Sequence, residues 1–146
     1  MRRLLLLLAI LMLLGVNPAQ AQRSQDFGEY VVHFNAINSN LIPPDVAAAY
    51  DIQRSSSRGL LNITVLRKAM GNPNAPVHST VKASAINLTG QRREIEMREI
   101  DENGAIYYLG EFRVSNMETF DFTVQVTPDG RSEPYEVKFR QQFYTE

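Results

Sequence analysis

Seven stretches of the sequence alternate between apolar and polar residues with a period of two. This period is typical of β-strands that bury one face and expose the other. The stretches span residues 30–34, 61–65, 77–86, 94–98, 106–113, 120–127 and 135–144. In the clearest of them, Phe120, Phe122, Val124 and Val126 share one face. Seven such strands predict an all-β fold, a single antiparallel two-sheet sandwich of immunoglobulin-like type.

Turn-forming residues lie between these stretches. Asn103-Gly104 supplies the positive φ angles of a type I′ hairpin, and Pro128-Asp129-Gly130 predicts a second tight turn. Residues 88–91 (Leu-Thr-Gly-Gln) predict a third turn, and residues 71–76 predict a longer loop between separate strands. No repeat or linker divides the chain, which indicates one domain.

A short helix is predicted between the first two of these strands. Pro44 suits the first helical position, Asp45 favours the positive end of the helix dipole, and three alanines follow. About two turns are too short to persist alone in water. We therefore expect the helix to pack on the sandwich through Val46, Ala49 and Tyr50.

The amino terminus has the three parts of a secretory signal peptide. Arg2 and Arg3 precede an eleven-residue apolar run, Leu4 to Leu14, and Ala19-Gln20-Ala21 forms a cleavage site. Eleven helical residues reach only about 16 Å, whereas a bilayer core is about 30 Å thick, so no transmembrane anchor is predicted. We expect cleavage after Ala21, a single domain over residues 22–146, and a periplasmic destination, with an extracellular one as the alternative.

Composition excludes several functions. Removing the leader reduces the 15 basic residues to 13 against 16 acidic ones, a net charge of −3, which argues against nucleic acid as a partner. The absence of cysteine excludes a disulfide framework, a thiolate metal site and a cysteine nucleophile. The two histidines, His33 and His78, fall on the predicted solvated faces of different strands, and the serines 55–57 lack a nucleophile elbow. The sequence therefore predicts no catalytic residue, no metal and no cofactor.

Three segments carry a family resemblance. They are Tyr30-Val31-Val32-His33-Phe34-Asn35-Ala36, then Leu41-Ile42-Pro43-Pro44 with Ala48-Ala49-Tyr50, and the ending Gln141-Gln142-Phe143-Tyr144-Thr145. In these the chain resembles a family of small exported proteobacterial proteins known as domain of unknown function 4426. The resemblance implies a single-domain component of the bacterial envelope, and it implies no activity and no site residues.

A binding surface is the remaining candidate site. Tyr50, Arg54 and Arg58 combine an aromatic ring with forked cationic donors, which are favoured in recognition sites. The opposing interpretation is a packed tyrosine beside two solvated arginines. Arg92-Arg93 next to Glu94 is interpreted as charge that protects an edge strand.

Two functions follow from these observations. The first is a non-enzymatic binding or interaction module that meets an envelope protein through its loops or a sheet edge. The alternative is a small-molecule carrier or an enzyme with a pocket between the sheets near residues 43–58. The sequence leaves the oligomeric state open.

Overall fold

Ten strands form two antiparallel sheets in the computed structural model, which describes residues 23–69 and 72–146. The predicted leader, residues 1–21, lies outside the described residues. The strands are β1 (Arg23–Asp26), β2 (Tyr30–Asn38), β3 (Arg58–Ala69), β4 (Asn72–Pro76), β5 (Ser79–Asn87), β6 (Arg92–Ile95), β7 (Arg98–Glu102), β8 (Ala105–Arg113), β9 (Glu118–Pro128) and β10 (Tyr135–Phe143). A 3-10 turn (Ser39–Leu41) and the helix α1 (Pro44–Ala49) connect β2 to β3.

The order of the strands confirms the predicted sandwich. The first sheet runs β1-β2-β3-β8-β7, with β4 also paired to β3, and the second runs β10-β9-β5-β6. Leaving out β1 and β4, the sequence-order pattern matches the ABED and GFC sheets of immunoglobulin-like domains, with β6 as an added edge strand. The short helix follows β2, as predicted.

Three local differences account for ten strands where seven are predicted. β1 is fully exposed and has no apolar alternation, so its pairing with β2 leaves no periodic signal. Residues 72–76, predicted as a loop, form β4 against β3. The predicted strand 94–98 is divided between β6 and β7, which belong to different sheets.

The crossing from β6 to β7 lies closely over a glycine. A Cβ built on Gly110 would lie 2.4 Å from the sulfur of Met97, 2.5 Å from Cγ2 of Ile95 and 3.1 Å from the carbonyl oxygen of Glu96. Any larger residue would therefore displace the side chains of the crossing and press on its backbone, so glycine suits the place where the chain passes over β8 from one sheet to the other.

The core between the sheets is aromatic. Phe120, Phe122 and Phe143 are almost fully buried, together with Leu61 and Ile63 of β3. The small inward residues of β5 have a packing reason, because each lies directly opposite a larger residue of β9. Ala85 pairs with Phe122, and Ala83 with Val124.

The predicted turns are confirmed. Asn103 and Gly104 have φ angles of 51° and 79°, which are the two positive values that a type I′ hairpin needs. Gly130 has a φ of 87°, and the amide of Arg131 donates to the carbonyl of Pro128 over 3.0 Å. Gly90 occupies the turn at 88–91 with a φ of 85°.

The helix α1 packs on the outer face of the first sheet. Ala47 is buried against Ile52, Leu60 and Leu109, and Tyr50 is partly buried beside them. The prediction for Val46 and Ala49 was wrong, since both are exposed. In so short a helix, the chain entering from the 3-10 turn decides which face meets the sheet, and an alanine there allows close approach.

Candidate functional site

A polar cleft opens at the end of the sandwich where β3 begins and β8 ends. Its volume is about 620 Å³, which lies within the usual range of small-molecule sites. We call it the arginine cleft, and it is lined by Gln53, Ser55, Ser57, Arg58, Arg93, Arg113, Val114 and Ser115.

The register of the strands places three arginines in this cleft. Arg58 of β3 and Arg113 of β8 are directly opposite each other in the first sheet, so their side chains leave the sheet on the same face. Arg93 comes from β6 of the second sheet, with its guanidinium carbon 5.8 Å from the centroid of the Phe120 ring. Like charges directly opposite on neighbouring strands are destabilising, so this arrangement lowers the stability of the fold when nothing is bound in the cleft.

These three arginines differ from all the others in the described part of the chain. Residues 23–146 contain ten arginines. Seven of them donate a side-chain hydrogen bond within the protein: Arg23, Arg54, Arg67, Arg92, Arg98, Arg131 and Arg140. The three whose side chains donate none to any described residue are the three that line the arginine cleft. The Nε atoms of Arg58 and Arg93 are buried without a partner in that same part of the chain, and a buried unpaired donor costs about 1–3 kcal/mol.

Two carboxylates lie close without using these donors. Oε1 of Glu111 is 3.7 Å from Nε of Arg58, and Oε2 of Glu118 is 3.9 Å from the guanidinium of Arg93. Both distances exceed hydrogen-bonding range. The carboxylates instead accept from the backbone amides of the cleft wall: Glu111 from Gln53 over 3.0 Å and Glu118 from Ser115 over 2.9 Å. The arginine cleft therefore keeps an excess of positive charge and free donors.

The wall of the cleft is held by a buried hydroxyl. Oγ of Ser39 donates to the carbonyl of Gln53 over 2.7 Å and accepts from the amide of Ser55 over 2.9 Å. On the other side, the amide of Val114 donates to the carbonyl of Ser57 over 2.9 Å. These bonds fix both sides of the opening, so the arginine side chains extend from an ordered rim.

The three residues predicted to bind do not lie together. Arg58 lines the arginine cleft, but Arg54 donates to the carbonyls of Ile42 and Asn40 over 2.7 and 3.0 Å and so braces the loop before α1. Tyr50 lines a separate apolar pocket of about 210 Å³ between α1 and the outer face of the first sheet. The carboxylate of Glu102 raises the pKa of Tyr50. Binding by Tyr50 and Arg54 stays a prediction.

Sequence reasoning missed Arg93 and Arg113 as site residues. Arg93 does lie on an edge strand, as predicted, yet it lies opposite the buried Ala85 and reaches toward the core aromatics. Arg113 is the last residue of β8, and in the sequence it looks like one more exposed polar residue of that alternating strand. Their meeting with Arg58 depends on strand pairing and sheet packing, for which a single sequence holds no direct signal.

A second polar cluster lies far along the strands from the cleft. Nδ1 of His78 is 2.8 Å from Oε1 of Glu99, and its Nε2 is 3.3 Å from Asp101. The hydrogen bond to Glu99 and the negative charges nearby raise the pKa of His78. The hydroxyl of Tyr108 donates to Glu99 over 2.7 Å and accepts from the amide of Ser79 over 2.7 Å, and burial, with the bond to Glu99, raises the pKa of Tyr108. This cluster joins the first sheet to the second.

The described residues show neither a metal cluster nor a membrane helix. His78 is exposed, as predicted, while His33 is half-buried and its Nδ1 has no partner among the residues described. Within residues 23–69 and 72–146, no three histidine or acidic side chains are placed to hold a metal ion. In the same ranges, no helix has the length and apolar character needed to cross a membrane.

The fold and the cleft together define an immunoglobulin-like β-sandwich domain with a cationic site at one end. A family model for DUF4426, a domain of unknown function, matches residues 24–146, and the chain belongs to this family. The resemblance seen in the sequence is thereby confirmed. A DUF4426 family protein from Pseudomonas aeruginosa, solved at 2.09 Å, is 34% identical with a TM-score of 0.74, over 88% of this chain and 98% of that one.

More distant structures share only the fold. FetP of uropathogenic Escherichia coli, expressed recombinantly in the periplasm, has a TM-score of 0.59 at 11% identity, covering 85% of this chain and 94% of its own. A copper-bound variant of FetP has a TM-score of 0.56 at 12% identity, over 84% and 95% of the two chains. No curated protein matches this sequence significantly.

Proposed function

We propose that this protein is a non-enzymatic binding module of the bacterial envelope, exported by the leader 1–21 and working in the periplasm. The observation that carries the proposal is the arginine cleft, whose three guanidinium groups make no hydrogen bond to any described residue. Because sandwich domains serve many unrelated functions, the site and not the fold has to support the role. Arginines with unused donors at an open cleft suit recognition of an anionic group.

The chemistry of the cleft favours binding over catalysis. Acyl transfer needs a nucleophile oriented by a base, and the lining contains three serines but no histidine. The nearby carboxylates of Glu111 and Glu118 are engaged with backbone amides. What the lining offers is fixed hydrogen-bond donors, which orient and hold a ligand.

Export rests on the leader. The signal-peptide pattern at residues 1–21 supports translocation out of the cytoplasm, and the periplasm is the compartment we propose. The copper of the FetP variant is not carried over to this protein, since the described residues contain no group of three histidine or acidic side chains placed to hold a metal ion.

The test is a comparison of amide spectra with and without ligand from the cell. Isotope-labelled domain is mixed with envelope extract of the source bacterium, and backbone ¹H–¹⁵N resonances are followed. We expect shifts at Ser57, Val114 and Ser115. The double variant Arg58→Gln/Arg113→Gln should lose them.

A matched control removes the same charge elsewhere. Arg92→Gln/Arg140→Gln loses two arginines that are hydrogen-bonded to Glu94 and Asp121 outside the cleft, and it should keep the shifts. Unchanged cleft resonances in the wild type, or equal shifts in the two double variants, would contradict the proposal.

A carrier of small molecules is the second candidate. The apolar pocket of about 210 Å³ under α1 favours it, although that pocket lies outside the first sheet and not between the sheets. In the same experiment, a ligand bound in this pocket would shift the resonances of Ile52, Leu60 and Leu109 and leave those of the arginine cleft unchanged.

A further inference from the structure

We propose that the anionic group recognised by the arginine cleft is a phosphate ester on a hydroxyl-bearing molecule. This inference rests on the binding function proposed above and narrows it to a class of ligand.

The donors come from three positions around one space. Arg58 and Arg113 enter from directly opposed positions of the first sheet, and Arg93 enters from the second sheet. A carboxylate is planar and its two oxygens are satisfied by one bidentate arginine. A phosphoryl group is tetrahedral and offers several strongly accepting oxygens on different sides. Three arginines that line one cleft from two sheets offer more donors than one carboxylate can accept, and they suit the second geometry.

The charges of the cleft are balanced for a small anion. Three arginines lie near two carboxylates, Glu111 and Glu118, which leaves one excess positive charge. The carboxylates are too far away to accept hydrogen bonds from the guanidinium groups, so those donors stay free. The domain as a whole is acidic after removal of the leader, with 13 basic against 16 acidic residues. A single phosphate ester is attracted locally, whereas an extended polyanion meets repulsion beyond the cleft.

The other walls indicate what carries the phosphate. The volume of about 620 Å³ is far more than a bare phosphate fills. Apart from Val114, the remaining lining residues are Gln53, Ser55, Ser57 and Ser115, all of which form hydrogen bonds. A polar body with hydroxyl groups, such as a glycerol or sugar, satisfies such walls, and an apolar body does not.

Such an ester has two sources, a soluble metabolite or a phospholipid headgroup, and the experiment has an arm for each. The first arm titrates the labelled full-length mature domain with glycerol 3-phosphate, glycerol and succinate. The second arm measures sedimentation with vesicles of phosphatidylglycerol mixed into phosphatidylcholine, and with phosphatidylcholine alone. If binding is seen in the first arm alone, the ligand is a soluble ester. If the protein binds the phosphatidylglycerol vesicles, the ligand is a lipid headgroup.

We expect glycerol 3-phosphate to shift Ser57, Val114 and Ser115, and glycerol and succinate to leave them unchanged. Arg58→Gln/Arg113→Gln should weaken binding roughly tenfold or more, because charge-assisted hydrogen bonds are lost. Arg92→Gln/Arg140→Gln, with the same net charge, should bind like the wild type. The cleft variant should melt no lower than the wild type, since neither arginine side chain donates a hydrogen bond to any described residue.

Even if glycerol 3-phosphate binds, two results would overturn the inference. One is succinate binding at the same amides as strongly as glycerol 3-phosphate, and the other is equal affinity of the two double variants. If envelope extract shifts the cleft amides but no phosphate probe binds in either arm, the ligand class is wrong and the binding function stands. If the extract also leaves the cleft unchanged, the binding function fails as well.

Discussion

Truncation of Phe122 is the most direct test of the packing between the sheets. Its side chain is 1% exposed, its ring stacks on Phe139 with 4.7 Å between centroids, and Phe112 meets it edge-on at 5.4 Å. Replacement by alanine removes this buried area and leaves a cavity, which costs about 3–5 kcal/mol. The residue opposite on β5 is Ala85, which is too small to refill the space, so we expect the upper half of that range.

Urea unfolding of the mature domain measures this loss. With an m-value of about 2 kcal/mol/M, a loss of about 4 kcal/mol lowers the midpoint by about 2 M. Leu88→Ala is the control, because Leu88 is 67% exposed in a turn and should change the free energy of unfolding by less than about 0.5 kcal/mol. A loss below about 1 kcal/mol for Phe122→Ala would refute the register given for β9.

Three further predictions concern the polar cluster and the sheet crossing. Because the pKa of His78 is raised, its contribution to the free energy of unfolding is fully present below its ordinary pKa of 6.5. That contribution is lost as the pH rises through the raised value. The free energy of unfolding of wild type should therefore exceed that of His78→Gln at about pH 5.5 and converge with it by about pH 9. Tyr108→Phe leaves the amide of Ser79 without its acceptor and should cost about 1–3 kcal/mol by urea unfolding. Gly110→Ala puts a Cβ 2.4 Å from a methionine sulfur and should lower the free energy of unfolding by about 1–3 kcal/mol. The loss is measured as a lower melting temperature, and an unchanged melting temperature would contradict the close crossing over Gly110.

The core strands could be predicted because they repeat one physical rule along the chain. A strand with one buried face must alternate, and β9 does so from Phe120 to Val126. β1 pairs through its backbone while all its side chains are exposed, so no alternation exists to be found. The division of 92–102 between two sheets depends on the space above Gly110, which lies elsewhere in the sequence.

The candidate site was only partly predictable for the same reason. Arg58 and Arg54 are four residues apart and look equivalent in the sequence. The strand register places Arg58 opposite Arg113, where its side chain donates no hydrogen bond to a described residue, whereas Arg54 donates to the carbonyls of Asn40 and Ile42. Whether an arginine keeps free donors depends on which backbone and carboxylate oxygens the fold brings near it. The number of free donors is therefore set by the tertiary structure and not by the local sequence.

The hydrogen bond from the amide of Ser79 to the hydroxyl of Tyr108 has a mechanical consequence. It fastens the second sheet to the first near the start of β5. At the other end of the sandwich, the side-chain amide of Asn38 at the end of β2 donates to the carbonyl of Tyr144, which follows β10, over 3.0 Å. In a chain without cysteine, these hydrogen bonds fix the spacing of the two sheets near both ends. A ligand that contacts arginines from both sheets therefore meets a preset spacing, so occupancy of the cleft should slow amide exchange locally, in β6 and at the end of β8, and leave more distant strands unchanged.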